Sequence, residues 1–193
     1  MEKTDQELWL AFEAGQEAAF EELFRRYRDG VFRFSFKMLN NRSHAEDVTS
    51  TVFLALFQKK YTPKPGVKLS TWLFTVARNA SMDHMRAAKH TVSMWFRNEK
   101  GQEEVWDTVD EKAKPGEDVL NKEHAQLLKK ALAKLPFEQK EALVLREYMG
   151  NNYQDIAAIL DCSLEKVKVL IFRAREGLRK EMLPYMKELG NDG

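Results

Sequence analysis

The stretch LPFEQKEALVLREYMGNNYQDIAAILDCSLEKVKVLIFRAREGLR, Leu135 to Arg179, decides the fold. Its apolar residues recur at helical spacing and its breaks fall at helix-ending residues, so it predicts three short helices, the last two a helix-turn-helix. Asn152 can cap a helix whose inward face is Ile156, Ala157, Ile159 and Leu160, because side chains three and four residues apart stack on one side. That helix ends near Asp161. Ser163 then accepts from the free amides of the next helix, while Lys166 offers no Glu-type return bond, so half a capping box is present. Val167, Ile171, Ala174 and Leu178 follow at spacings of four, three and four and form one buried stripe. Lys166, Lys168, Val169, Phe172, Arg173 and Arg175 are left on the other faces. A helix held by its neighbours with basic residues outward suits a DNA groove. Any antiparallel helix pair joined by a short turn shows the same pattern, so the rest of the chain has to decide.

The rest is helical in pattern, interrupted once. A first helix is expected around Gln6 to Ala14 and a second from Glu17 to about Leu39, separated by Gly15. A third runs from near Ser43 to about Lys59, burying Val48, Val52, Phe53 and Leu56, with Glu46 and Asp47 read as lying in its first turn. Two prolines and a glycine make TPKPGVK, Thr62 to Lys68, a loop. A fourth helix, capped by Ser70 or Thr71, carries Trp72, Leu73, Val76 and Ala77 inward and Arg78, Asn79, Asp83 and Arg86 outward. Between Thr91 and Val119 periodicity disappears among eight acidic and four basic residues, which reads as a linker. Trp95, Phe96 and Trp106 are costly to leave in water there and suggest docking onto a domain or a partner. The expected architecture is all-α: two small helical domains, 1–90 and 120–193, joined by a flexible acidic linker at 91–119, the second domain a helix-turn-helix.

Composition narrows the function. The 193 residues carry a formal net charge of +1, so no global basic field holds nucleic acid and any contact must come from local patches. The single cysteine, Cys162, cannot form an internal disulfide, and the four histidines are dispersed, so no metal site is expected and a reducing cytoplasm fits. The first residues are acidic and broken by charges, so no signal peptide is expected, and no apolar run approaches the roughly 20 residues that span a bilayer. There is no phosphate-cradling glycine loop and no nucleophile–base pair placed by spacing, so no catalytic residue is assigned, no cofactor is expected, and the chain is not read as an enzyme. A self-sufficient helix-turn-helix regulator with an N-terminal sensor or dimerisation domain stays open as an alternative.

Four blocks, in this order, resemble the RNA polymerase sigma factors of the sigma-70 family, in particular the extracytoplasmic-function (ECF) subgroup. They are AEDVTSTVFLALF (Ala45 to Phe57), LSTWLFTVARNASMDHMR (Leu69 to Arg86), LP at Leu135 and Pro136, and NNYQDIAAILDCS followed by VKVLIFRAREGLR (Asn151 to Arg179). The resemblance implies an alternative sigma factor that binds core polymerase and directs promoter-specific initiation, serves a stress or envelope response, and is regulated by an anti-sigma factor. It implies that the first domain is region 2 and the last is region 4.

On these residues the resemblance implies further roles. Asp47, Ser50, Thr51, Phe53 and Leu54 would contact the clamp coiled coil of the largest polymerase subunit, and region 4 the flap of the second-largest. Relatives commonly carry Gln and an acidic residue where Ser50 and Thr51 stand. Lys64, Lys68, Arg78, Asn79, Asp83 and Arg86 would hold the opened minus-ten element, Asn79 as a base reader and the cations on phosphates. Lys166, Lys168, Val169, Phe172, Arg173 and Arg175 would engage the minus-thirty-five element, although Val169 and Leu170 occupy sites often Ser and Arg in relatives. Trp72 is read as a core residue. The chain would be cytoplasmic without membrane insertion, with an anti-sigma partner able to hold it at the inner membrane.

Overall fold

The computed structural model describes residues 3–95 and 118–189, with side chains described over 3–87 and 126–185. Among them the secondary structure is entirely helical. The N-terminal half contains α1 (Asp5–Glu13), α2 (Glu17–Leu39), α3 (Arg42–Phe57) and α4 (Leu69–Trp95). Thr4 and Glu7 close a reciprocal cap on α1, the Thr4 amide donating to Glu7 Oε2 at 2.7 Å and the Glu7 amide to Thr4 Oγ1 at 3.3 Å. Asp5 then ties α1 to α2, accepting from Arg26 Nη1 at 3.1 Å and from the Tyr27 hydroxyl. The helix α2 stops at Asn40, whose φ of 51° is a left-handed conformation that an Asn tolerates. Trp9, Leu23, Phe34, Leu56 and Leu73 are fully buried where α1–α4 meet.

Two expected helix starts move. Asn41, not a later residue, caps α3, its Oδ1 accepting from the His44 amide at 2.9 Å, so Glu46 and Asp47 fall beyond the first turn. The fourth helix begins at Leu69, which places Ser70 and Thr71 inside it; the Trp72 amide already donates to the Lys68 carbonyl at 3.4 Å. Leu69 is buried, and anchoring it against the core starts the helix before the hydroxyls. Helix α4 also continues to Trp95, and α5 (Asp118–Lys134) begins before Leu120, so both ends of the 91–119 stretch are helical. Phe96, Trp106 and the Trp95 side chain lie outside the described residues.

The C-terminal half follows α5 with α6 (Phe137–Leu143), a π-turn over Val144–Tyr148, α7 (Tyr153–Leu160) and α8 (Leu164–Leu189). Asn152 caps α7 as expected, its Oδ1 accepting from the Asp155 amide at 2.8 Å, and Asp161 ends it in a left-handed conformation with φ 51°. Ser163 caps α8, accepting from the Lys166 amide at 3.2 Å. Val167, Ile171 and Ala174 are buried and Leu178 is half-buried, in line with the predicted stripe. The two halves pack together, α4 lying against α7, and their buried side chains join in one apolar cluster.

Candidate nucleic-acid interface

The outward face of α8 is built by its own periodicity. With Val167, Leu170 and Ile171 inward, the intervening Lys168, Val169, Phe172 and Arg173 are exposed, Phe172 at 66% and Val169 at 44%. Nothing in the fold requires an exposed phenyl ring there. Lys166 and Arg175 flank this face, each paired within the C-terminal half: Lys166 Nζ stands 3.1 Å from Glu138 Oε2 and Arg175 Nη2 2.6 Å from Glu147 Oε1. Leu170 points into the core and presents no side chain to a groove.

On α4 and the loop before it, Lys64, Asn79, Asp83 and Arg86 are exposed, with Arg86 Nη1 3.3 Å from Asp83 Oδ1. Lys68 and Arg78 are engaged by the other half. Lys68 Nζ lies 2.7 Å from Asp155 Oδ2 of α7. The Arg78 side chain, expected on the exposed side, is only 18% exposed, and its Nε lies 2.7 Å from Oε1 of the buried Glu141 on α6. Neither Glu141 oxygen receives a directed hydrogen bond, nor does Arg78 Nε donate one, so the contact is an ion pair without aligned N–H geometry. Burial, outweighing the neighbouring Arg78, pushes the Glu141 carboxyl up to about 7. Beside it Lys140 Nζ donates to the Met38 carbonyl at 3.1 Å, and burial together with the nearby Lys37 brings its ammonium down to about 8. Lys37 in turn sits 3.8 Å from the centroid of the Tyr148 ring.

A second face belongs to α3. Asp47, Ser50 and Thr51 are exposed, continuous with Leu54 at 56% and Phe57 at 53% exposure. Phe53, read from the sequence both as a buried residue of this helix and as a polymerase contact, is buried, with its ring centroid 4.7 Å from that of Phe24, because α3 turns it toward α2. It supports the helix and presents nothing outward. Trp72 packs its ring 5.5 Å from Tyr61, as a core residue would.

Sequence reasoning missed Glu141 and Asp155. Glu141 carried a signal: it lies four residues from both Phe137 and Leu145, an acid set on the apolar stripe of its own helix. Among the described residues no cluster of three or more His, Cys, Asp or Glu could hold a metal ion, and no helix is long and apolar enough to cross a membrane.

The comparisons with known proteins converge on these same segments. Residues 23–91 match the model of sigma-70 region 2 and residues 125–178 that of sigma-70 region 4. The chain is 25% identical to the RNA polymerase sigma-H factor of Pseudomonas aeruginosa, over 97% of this chain and 98% of the relative. It is 27% identical to the ECF RNA polymerase sigma-E factor of Escherichia coli, over 95% and 97%. The solved structure of the sigma factor RpoE of Bartonella quintana, in complex with the anti-sigma factor NepR, superposes with a TM-score of 0.69 at 26% identity, covering 84% of this chain and 96% of that one. Region 2 spans α2 to α4 and region 4 spans α5 to α8, around the two exposed faces and the contact between them, so the chain belongs to the sigma-70 family as a sigma factor of the ECF type, a transcription initiation factor and not an enzyme.

Proposed function

We propose that this chain is an alternative sigma factor that joins core RNA polymerase through the exposed face of α3 and reads promoters at two points. Asp47, Ser50, Thr51 and Leu54, extended by Phe57, form the polymerase-facing surface, suited to the clamp coiled coil of the largest subunit. Lys64, Lys68, Arg78, Asn79 and Arg86 serve the minus-ten element, with Asp83 orienting Arg86. Lys168, Val169, Phe172 and Arg173 read the minus-thirty-five element, flanked by Lys166 and Arg175 on phosphates, while region 4 meets the flap of the second-largest subunit. The observation that carries this reading is the outward face of α8, an exposed aromatic among cations on the second helix of a helix-turn-helix.

The chain acts in the cytoplasm and is held silent by an anti-sigma partner. The RpoE of Bartonella quintana, solved with such a partner, supports that class of regulator, and the exposed Leu54 and Phe57 give it an apolar surface to cover. Run-off transcription tests the central claim. Core polymerase with this chain should start at a defined promoter; sequence-specific binding by the isolated chain without initiation would favour a self-sufficient regulator.

A further inference from the structure

The four histidines are scattered along the sequence, but the fold brings two of them together. His44 stands in the first turn of α3 and His84 in the second half of α4, and their ring centroids lie 5.0 Å apart. The helices themselves set this spacing. On α3, His44 precedes Val48, Val52 and Leu56 at intervals of four; on α4, His84 follows Leu73 and Ala77 by eleven and seven. All five of those residues are buried where α3 packs on α4, so the imidazoles continue the two stripes to the rim of the core, where both are half-buried. The pair is fixed by packing and still open to water.

Two features mark the pair as a ligand set. The rings are tilted by 35°, neither stacked nor edge to face, so aromatic packing alone does not account for the approach. Among the described residues neither imidazole makes a hydrogen bond or an ion pair, so no partner fixes a tautomer and a nitrogen of each ring can turn toward a shared ion. Two imidazole nitrogens at about 2.0–2.1 Å from one tetrahedral ion put the ring centroids about 5 Å apart, which is the separation found. Among the described residues no third His, Cys, Asp or Glu joins the pair, so the other positions fall to water.

We propose that His44 and His84 form an open, two-ligand site for a late first-row transition cation of the Zn²⁺, Ni²⁺ or Cu²⁺ class. Neutral imidazole suits these ions, whereas Mg²⁺ and Ca²⁺ take oxygen ligands. A bound ion would tie the start of α3 to α4 three residues before Asp47, and so brace the exposed face that follows. The site does not depend on any assignment of DNA contacts.

The test uses the full chain with nitrogen-labelled imidazoles, Zn²⁺ as the probe and Mg²⁺ as its control. Zn²⁺ should shift the ring resonances of His44 and His84 together, saturating at one ion per chain, and leave those of His90 and His124 in place; Mg²⁺ should move none. By calorimetry His44→Ala and His84→Ala should each weaken Zn²⁺ binding by at least about tenfold, the scale lost when even an outer-shell partner of a metal site is removed. Cys162→Ser should bind as the unaltered chain does. Zn²⁺ should also raise the thermal-unfolding midpoint of the unaltered chain and of neither histidine variant. Should either alanine variant fail to fold, His84→Gln, which keeps a polar side chain of similar size, carries the same expectation. Shifts confined to His90 or His124, or Zn²⁺ affinity unchanged in the histidine variants, overturn the proposal. A shift at only one of the two rings also overturns it, since a single imidazole is a surface ligand and not a site.

Discussion

Asn79 and Arg78 are neighbours on α4, yet one is exposed and the other is enclosed by region 4. Asn79 accepts a hydrogen bond from Arg78 Nη1 at 3.4 Å, a long and weak contact that costs little to exchange for a base edge. Asn79→Ala should lower open-complex formation while leaving core-polymerase binding intact, as permanganate footprinting and a core-binding assay would read separately; unchanged melting would remove Asn79 from the minus-ten set. Lys168 differs in having no ion partner among the described residues, so its charge is wholly available. Lys168→Ala should weaken promoters that depend on their upstream element by about 1 to 3 kcal/mol if it reads a base. A loss equal across promoter sequences reassigns it to phosphate. Helical periodicity made Lys168 and Asn79 legible, because their exposure depends only on their own helices. It could not show that Arg78 is enclosed, since that depends on Glu141 in the other half of the chain.

At the scale of elements, the caps read from sequence hold where side chain and backbone meet locally. The Asn152 Oδ1 to Asp155 amide bond and the Ser163 Oγ to Lys166 amide bond both form. Asn152→Ala should destabilise the chain by about 1 kcal/mol and Asn152→Gly by only a few tenths, measured by urea unfolding. Equal losses would show that the side-chain oxygen is not what holds the end of α7. The start of α4 was misread for the opposite reason: burial of Leu69 overrides the capping preference of Ser70 and Thr71. The π-turn at Val144–Tyr148 had no sequence signal at all. It follows from burying Val144 and Leu145 together while the chain turns back, with the Asn151 amide donating to the Leu145 carbonyl at 3.0 Å and Gly150 taking a φ of 69°.

The whole molecule is a pair of helical units whose contact contains two displaced titrations. Around Glu141 stand Arg78 from α4, Glu138 from α6, Lys166 from α8 and Cys162 beside it; around Lys140 stand Lys37 and the Met38 carbonyl of α2. The Glu141 carboxyl is raised to about 7 in the fold, so its contribution to folding stability is fully present below its ordinary value and lost as pH rises through about 7. Lys140 is lowered to about 8, so it opposes folding below that value and ceases to oppose it as pH rises toward its ordinary range. The contribution of this pair of groups should therefore be weakest between about 7 and about 8 and strengthen on mild acidification, as urea unfolding across pH would report. Glu141→Gln should remove the acid limb; an acid limb that survives it belongs to another group. Both helical units and their order were legible from sequence, because each carries its own apolar stripes at helical spacing. Their mutual packing was not, since it depends on an apolar cluster shared between the halves and on polar contacts with no period. The Lys68–Asp155 and Arg78–Glu141 pairs also change how salt should act. A cation that leaves a carboxylate for a phosphate still displaces the counterion condensed there, but salt also screens the intramolecular pair that competes for that cation. For the isolated chain, the dependence of DNA affinity on salt concentration should then be shallower than a count of its phosphate contacts implies, and should steepen once those pairs are broken.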